Sequence, residues 1–501
     1  MNDDQSKPSV LMICSHEPMM DPRVRWEAEY AAKEFDVTVL GFNRPGTPLP
    51  AREERDGFVL TRLDHVDGGV RAFLLGLLEV TTSRMQRRVV AVSLLPLYPL
   101  AVISEVLARL FLWLGRAAGR AAVRNLATIR VPFQLFLRPA RELRRSSAIW
   151  RYYVLKALLR VQFGPPVAVL WQHISDQGMR PDVVHCNDLD TLVVGLLAKR
   201  RFGSRVVYDA HEFYPHSYPD GTWVDRYFWS WIERRLIRRV DHTVTVNPLL
   251  ATEMAKAYAL AQVGSVANAE PWVERRSAFR SFSSMDRLAR GRVKFLFQGR
   301  FTDGRGIEEI VSAWSKVDTR RAALFLRGPA NPWRQRFMEL SANEGTLDSS
   351  VFFLDAVTEE ELVEAAAEAD VGIVPYRPLI MNDRLACPNK LSQYMHAGLM
   401  VLSNDLPYVR SVLEQSGAGL CYTSNDMRTF VELVDRIASD ESLRETSRAR
   451  ARKFARETFN WQRESQSLYE CYRRLSDKGQ NPGQNRGRTR DRIDDSNLNA
   501  A

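Results

Sequence analysis

Residues 293–307 read V-K-F-L-F-Q-G-R-F-T-D-G-R-G-I. The mostly apolar run 293–298 predicts a short buried strand, and a helix is expected to begin near Ile307. Between them stand Gly299, Arg300, Gly304, Arg305 and Gly306. Glycines leave backbone N–H groups open at a helix N-terminus, and guanidinium groups beside them make a cradle for a diphosphate. The same turn also reads as two solvated arginines, so a second loop has to decide.

Working outward, strand and helix alternate through both halves of the chain. In the second half, strands are predicted at 293–298, 323–327, 351–354, 371–375, 400–404 and 419–422. In the first half they fall at 10–14, 37–41, 58–63, 182–185, 205–209, 241–246 and 263–267. A helix follows Asp21-Pro22, another spans 189–202, and a last one runs over about 461–475. Short buried strands alternating with helices predict parallel, doubly wound sheets, an α/β architecture with ligands beyond the strands' carboxyl ends. A chain of 501 residues is too long for one core.

Composition removes other classes. Hydrophobic residues make up 45% and charged residues 26%, which excludes general disorder. Five scattered cysteines form no framework and fit a reducing compartment. The polar opening M-N-D-D-Q-S-K-P-S predicts no signal peptide. The net charge of +10 is local: residues 71–165 hold fifteen arginines and one lysine against three acids, a net of +13. A chain-wide nucleic-acid footprint is therefore not expected.

The first loop, S-H-E-P-M-M-D-P-R (15–23), has no glycine. A dinucleotide fold needs G-x-G-x-x-G there, so a nicotinamide enzyme is disfavoured. The deciding second loop is Cys387-Pro388-Asn389-Lys390-Leu391-Ser392-Gln393-Tyr394, which opens a helix ending at Gly398. Lys390 and that helix N-terminus can face the Arg300 loop across one cleft, and Gln393 can bond ribose hydroxyls.

Q-G-R-x4-R-G followed by P-N-K-L-x-Q-Y-M-x-A-G resembles the donor half of glycosyltransferase family 4, Pro-Asn-Lys subgroup, with the GT-B fold. D-P-R-V-R-W-E-A-E-Y-A, D-V-V-H-C-N-D-L-D-T-L, V-V-Y-D-A-H-E-F-Y-P and V-T-V-N-P-L-L are similar to that family's first domain in order and spacing. The resemblance spans roughly 8–65 and 165–475. It implies two Rossmann-like domains facing a cleft: 8–273 for the acceptor, with a helical insertion at 71–165, then a linker at 274–292 and a donor domain at 293–458. A helix at 459–477 would pack back on the first domain, and 478–501 would be a disordered tail.

By the same resemblance, Arg300 and Arg305 bind the donor diphosphate with Gly299, Gly306, Asn389 and Lys390. His211, with Arg300 and Arg305, is catalytic and lies over the reacting sugar. Gln393 binds ribose. His16 and Glu212 stand on the acceptor side, Glu212 orienting His211 or capping the next turn. Asn268 marks where the chain leaves the first domain. Many family members carry two glutamates where this chain has Leu385 and Gln393. The family implies retention of configuration, with a donor phosphate oxygen taking the acceptor proton.

Fixed cations can stabilise the leaving phosphate without a metal. Asp188-Leu189-Asp190 is the nearest metal-like motif, and it reads as a helix cap. No cofactor is expected beyond a nucleotide-sugar co-substrate. The basic, apolar insertion predicts helices on an anionic membrane surface, or a helical subdomain packed on the first sheet. The expected acceptor is a lipid-linked or membrane-assembled glycan, at the cytoplasmic face. A second reading is a non-catalytic membrane-associated partner of the same fold with a degenerate donor site.

Overall fold

The computed structural model describes residues 7–44, 46, 49–64, 164–217, 223–274, 282, 284–424 and 426–477. The expected insertion lies outside the described residues except for its last two positions, which open the helix Gly164–Asp176. The tail at 478–501 lies outside them as well. Among the described residues, no helix is long and apolar enough to cross a membrane.

The first half forms an eight-stranded sheet from β1 (Ser9–Ile13), β2 (Asp36–Phe42), β3 (Arg52–Arg55), β4 (Phe58–Leu63), β5 (Val183–Asn187), β6 (Arg205–Ala210), β7 (His242–Thr245) and β8 (Gly264–Ser265). Its order is β3-β4-β2-β1-β5-β6-β7-β8. Every pairing is parallel except β3 with β4. Sequence reading overlooked β3, because R-E-E-R has no apolar residue to mark it. Its hairpin turns at Asp56-Gly57, both at positive φ, as a tight two-residue turn requires. Its charges blunt the sheet edge.

The second half forms β9 (Val293–Gln298), β10 (Ala322–Arg327), β11 (Val351–Leu354), β12 (Val371–Val374), β13 (Met400–Asn404) and β14 (Gly419–Tyr422). All are parallel, in the order β11-β10-β9-β12-β13-β14. Strands such as β10 and β13 are buried along their whole length, as apolar strands covered by helices on both faces must be. These are the two doubly wound sheets the alternation predicts.

In each sheet the winding direction reverses once, between β1 and β5 and between β9 and β12. A crevice opens where neighbouring loops diverge in this way. The loops leaving these strands start at Cys14, Asp188, Gly299 and Pro375.

Two details go beyond the sequence reading. The expected linker at 274–292 holds a short helix, Met285–Ala289, which buries Met285 and Ala289, and Asp286 pairs with Lys294 on β9 at 2.6 Å. The last helix is broken at Ser465 into Trp461–Glu464 and Gln466–Ser476. Both pieces return to the first sheet. The rings of Trp461 and Trp26 lie 5.6 Å apart, and Tyr472 packs edge-on to Phe35.

Beneath the Arg300 loop, Gly372 on β12 faces Tyr394, whose hydroxyl accepts the Gln298 N–H at 2.8 Å. A Cβ at Gly372 would lie 2.2 Å from that ring. The ring cannot retreat without losing the bond that sets the end of β9. Gly372→Ala should therefore cost roughly 1–3 kcal/mol through overpacking. A lowered urea midpoint checks this, and an unchanged one contradicts it.

Candidate functional site

The carboxyl ends of both sheets open into one cleft, a cavity of about 460 Å³. Of the sequence-predicted residues, Gly299, Arg300, Arg305, Asn389, Lys390, Gln393, His211 and Glu212 all line it. His16 and Gly306 do not. His16 stands beside the lining residue Asp21, its Nε2 3.7 Å from Asp21 Oδ2. Gly306 is buried in the turn before the helix Ile307–Trp314, at φ 67°, with Pro375 3.1 Å from where a Cβ would sit.

The donor-side wall is cationic. Among the described residues, Arg300, Arg305 and Lys390 have no ion-pair partner. Arg305 lies 4.6 Å from the Tyr376 ring centroid, and Lys390 Nζ lies 5.1 Å from the same ring. Burial and the neighbouring Arg305 charge pull the Lys390 ammonium down to about 7. The helix Asn389–Ala397 starts beside them after Pro388, with no side chain capping its N-terminal N–H groups. Unpaired cations and an open helix N-terminus in one cavity describe an anion site.

The opposite wall is built by buried charge. Arg23 sits one residue inside the helix Pro22–Ala31 and grips Asp209 at the end of β6 with two hydrogen bonds, of 2.7 and 3.0 Å. Its third nitrogen donates to the Val266 carbonyl at 2.7 Å and to Asn268 Oδ1 at 3.0 Å. Glu27, one turn along, lies 3.3 Å from Arg23 and 3.1 Å from His185 Nε2. Burial opposes the His185 charge, yet Glu27 and Asp209 hold that imidazole up at about 9.

Glu27, His185 and Asp209 are the one group of three ligand-type side chains gathered among the described residues. Arg23 lies against both carboxylates, 2.7 Å from Asp209 and 3.3 Å from Glu27, and with the protonated His185 balances their charge, which leaves no place for a metal cation.

His211 follows β6 directly. Its ring lies between Asn187 Oδ1 (3.1 Å) and Asp21 Oδ2 (3.3 Å), and its backbone N–H donates to Asp188 Oδ1 at 3.1 Å. Asp188 does not cap the following helix, contrary to the sequence reading. It sits at φ 62°, a left-handed backbone that costs an aspartate roughly 1–3 kcal/mol, and its carboxylate faces His211 instead. Asp190 accepts from Ser15. Glu212 neither orients His211 nor caps the next turn. It accepts from Asn382 Nδ2 at 3.4 Å.

Asn382 also brackets Phe213, accepting its N–H at 3.0 Å and donating to its carbonyl at 3.1 Å. Asn247 Nδ2 donates to the Leu385 carbonyl at 2.7 Å. These bonds tie the loop after β12 to the first half and close the floor of the cleft. Asn268 is structural in this sense too, donating to the Cys387 carbonyl at 3.4 Å.

Residues 108–263 match the family described as "Glycosyl transferase 4-like domain", and residues 292–440 match "Glycosyl transferases group 1". No curated protein matches the chain by sequence. Solved structures that share the fold include the following three. Sucrose-phosphate synthase from Thermosynechococcus elongatus is 14% identical, with a TM-score of 0.60, over 94% of this chain and 99% of that one. HepE of Anabaena in complex with UDP-glucose is 13% identical, with a TM-score of 0.55, over 93% and 99%. WaaG, a glycosyltransferase involved in lipopolysaccharide biosynthesis, is 12% identical, with a TM-score of 0.53, over 92% and 99%.

A lysine near 7 is half neutral before any anion arrives. A bound diphosphate would raise its pKa, so binding takes up a proton. Affinity for a nucleoside diphosphate should thus fall as pH rises above 7, by up to about tenfold per unit. Calorimetry in buffers of different ionisation enthalpy reads the uptake, and Lys390→Met should abolish it.

Proposed function

We propose, for a chain of GT-B fold that carries two glycosyltransferase domains, that it moves a sugar from a nucleoside-diphosphate donor to a membrane-linked glycan or lipid. The observation that carries this reading is the trio Arg300, Arg305 and Lys390, unpaired in one cavity beside an uncapped helix N-terminus. Cleaving a sugar–phosphate bond builds negative charge on the leaving diphosphate. Fixed guanidinium and ammonium groups lower that barrier without a divalent ion. Gln393, at the floor of the same cavity, would take the ribose by hydrogen bonding. Transfer proceeds with retention, a donor phosphate oxygen accepting the proton of the acceptor hydroxyl.

The membrane half of the reading rests on two features. One is the net charge of +13 over 71–165. The other is the helix Trp223–Ile237, which exposes Trp223 by 78% and Tyr227 by 70% on the face opposite its buried Trp229, Ile232 and Leu236. Arg234, Arg235 and Arg238 follow on the exposed side, Arg235 lying 4.0 Å over the Trp231 ring. Aromatic and arginine side chains together suit an anionic lipid interface.

A second reading, a binding partner without turnover, is favoured by one observation. Leu385 lines the cavity at a place where the family resemblance implies a glutamate.

Arg300→Ala should weaken binding of the preferred nucleoside diphosphate about tenfold or more, as loss of a charge-assisted contact implies. Equal affinity would overturn the site. A nucleotide-sugar hydrolysis screen separates the two readings, since the partner reading allows binding and no release of sugar. On vesicle flotation, the chain should bind anionic liposomes at low salt and release at high salt. Absence of binding would remove the membrane half.

A further inference from the structure

We propose that Asp21 is a positioning residue that fixes His211 as a doubly protonated imidazolium, so that His211 keeps both ring N–H groups as donors and accepts no proton during transfer. The role in transfer rests on the donor-site reading above; the charge state does not.

Both ring nitrogens face oxygen. Nδ1 lies 3.3 Å from Asp21 Oδ2 and 3.7 Å from Asp188 Oδ2. Nε2 lies 3.1 Å from Asn187 Oδ1 and 3.7 Å from Asp209 Oδ2. The Asn187 amide is not free to turn over, because its Nδ2 donates to the Ile13 carbonyl at 3.3 Å. A neutral imidazole has one N–H and one lone pair. Whichever nitrogen kept the lone pair would point it at an acceptor. Only the cation suits both sides. Burial opposes the charge, but Asp188 and Asp21 outweigh it and hold His211 well above its ordinary range.

The charged groups around the ring come from five elements, one of them the start of the helix Leu189–Phe202, which gives Asp190. The loop after β1 gives His16, and the start of the helix Pro22–Ala31 gives Asp21 and Arg23. The end of β5 gives Asp188, and β6 gives Asp209. Asp209 is already gripped by Arg23 with two bonds. Burial pushes the Asp188 carboxyl up, and its Oδ1 is already taken by the His211 backbone N–H at 3.1 Å. Burial also opposes the Asp21 charge, but His211 and His16 hold that carboxyl well below the usual range. Asp21 is the carboxylate nearer the ring, 3.3 Å against 3.7 Å for Asp188. It is itself anchored, accepting the Arg23 N–H at 3.0 Å as the cap of its helix.

The test is nitrogen NMR of the full chain labelled at histidine, with His211→Gln assigning its signals among the eight histidines. His211 should stay protonated at both nitrogens through pH 8. Asp21→Asn should lower its titration midpoint by roughly 1–3 pH units, and Asp21→Glu should restore it in part. A midpoint near the ordinary ~6.5 in the unaltered chain overturns the proposal, whether or not the variants fold. So does an unchanged midpoint in Asp21→Asn. If nucleotide binding proves absent while His211 titrates high, the donor-site reading fails and the charge assignment stands.

Discussion

A guanidinium group buried at the carboxyl end of the first sheet is the constraint from which the cleft is built. Arg23 has almost no solvent contact, so every N–H it carries needs an acceptor inside the protein. Asp209, the Val266 carbonyl and Asn268 supply them. That places the first helix against β6 and against the chain's exit from the first sheet. Asn268 passes the constraint on to Cys387, at the start of the Pro-Asn-Lys loop. Breaking a buried pair of this kind costs roughly 3–5 kcal/mol, so the arrangement is held tightly. Tyr472, from the last helix, reaches the same cluster through His185 at 2.6 Å.

The two halves divide the chemistry. The second contributes unpaired cations on a glycine-bearing loop, where backbone must come close to a ligand. The first contributes carboxylates and histidines paired by charge, drawn from the glycine-free loop after β1, the first helix, β5 and β6. Each set stands at the point where its sheet reverses winding. This is why loops far apart in sequence meet in one cavity.

Much of this was legible in the sequence. The strands were marked by apolar runs, and the donor loops by glycine, arginine and the Pro-Asn-Lys turn. The acidic side of the site was not. Asp21 marked only the start of a helix, although it also touches two histidines. Asp188 read as a cap and is none. Arg23 and Glu27 are one turn apart on a helix face that also buries Val24 and Ala28, and charge on such a face was the available signal. Their partners, His185 and Asp209, lie on separate strands more than 150 residues away. No local pattern pairs them. The role of Asn382 depends on the two halves meeting, which no single segment encodes.

The central claim is that a pyrophosphate is held by Arg300, Arg305 and Lys390 at the start of the helix Asn389–Ala397. A crystal structure of the chain soaked with sugar nucleotides tests it most directly. The account predicts both phosphates against those three side chains, with the ribose near Gln393. A nucleotide bound elsewhere, or a cleft that stays empty at saturating concentration, would contradict it.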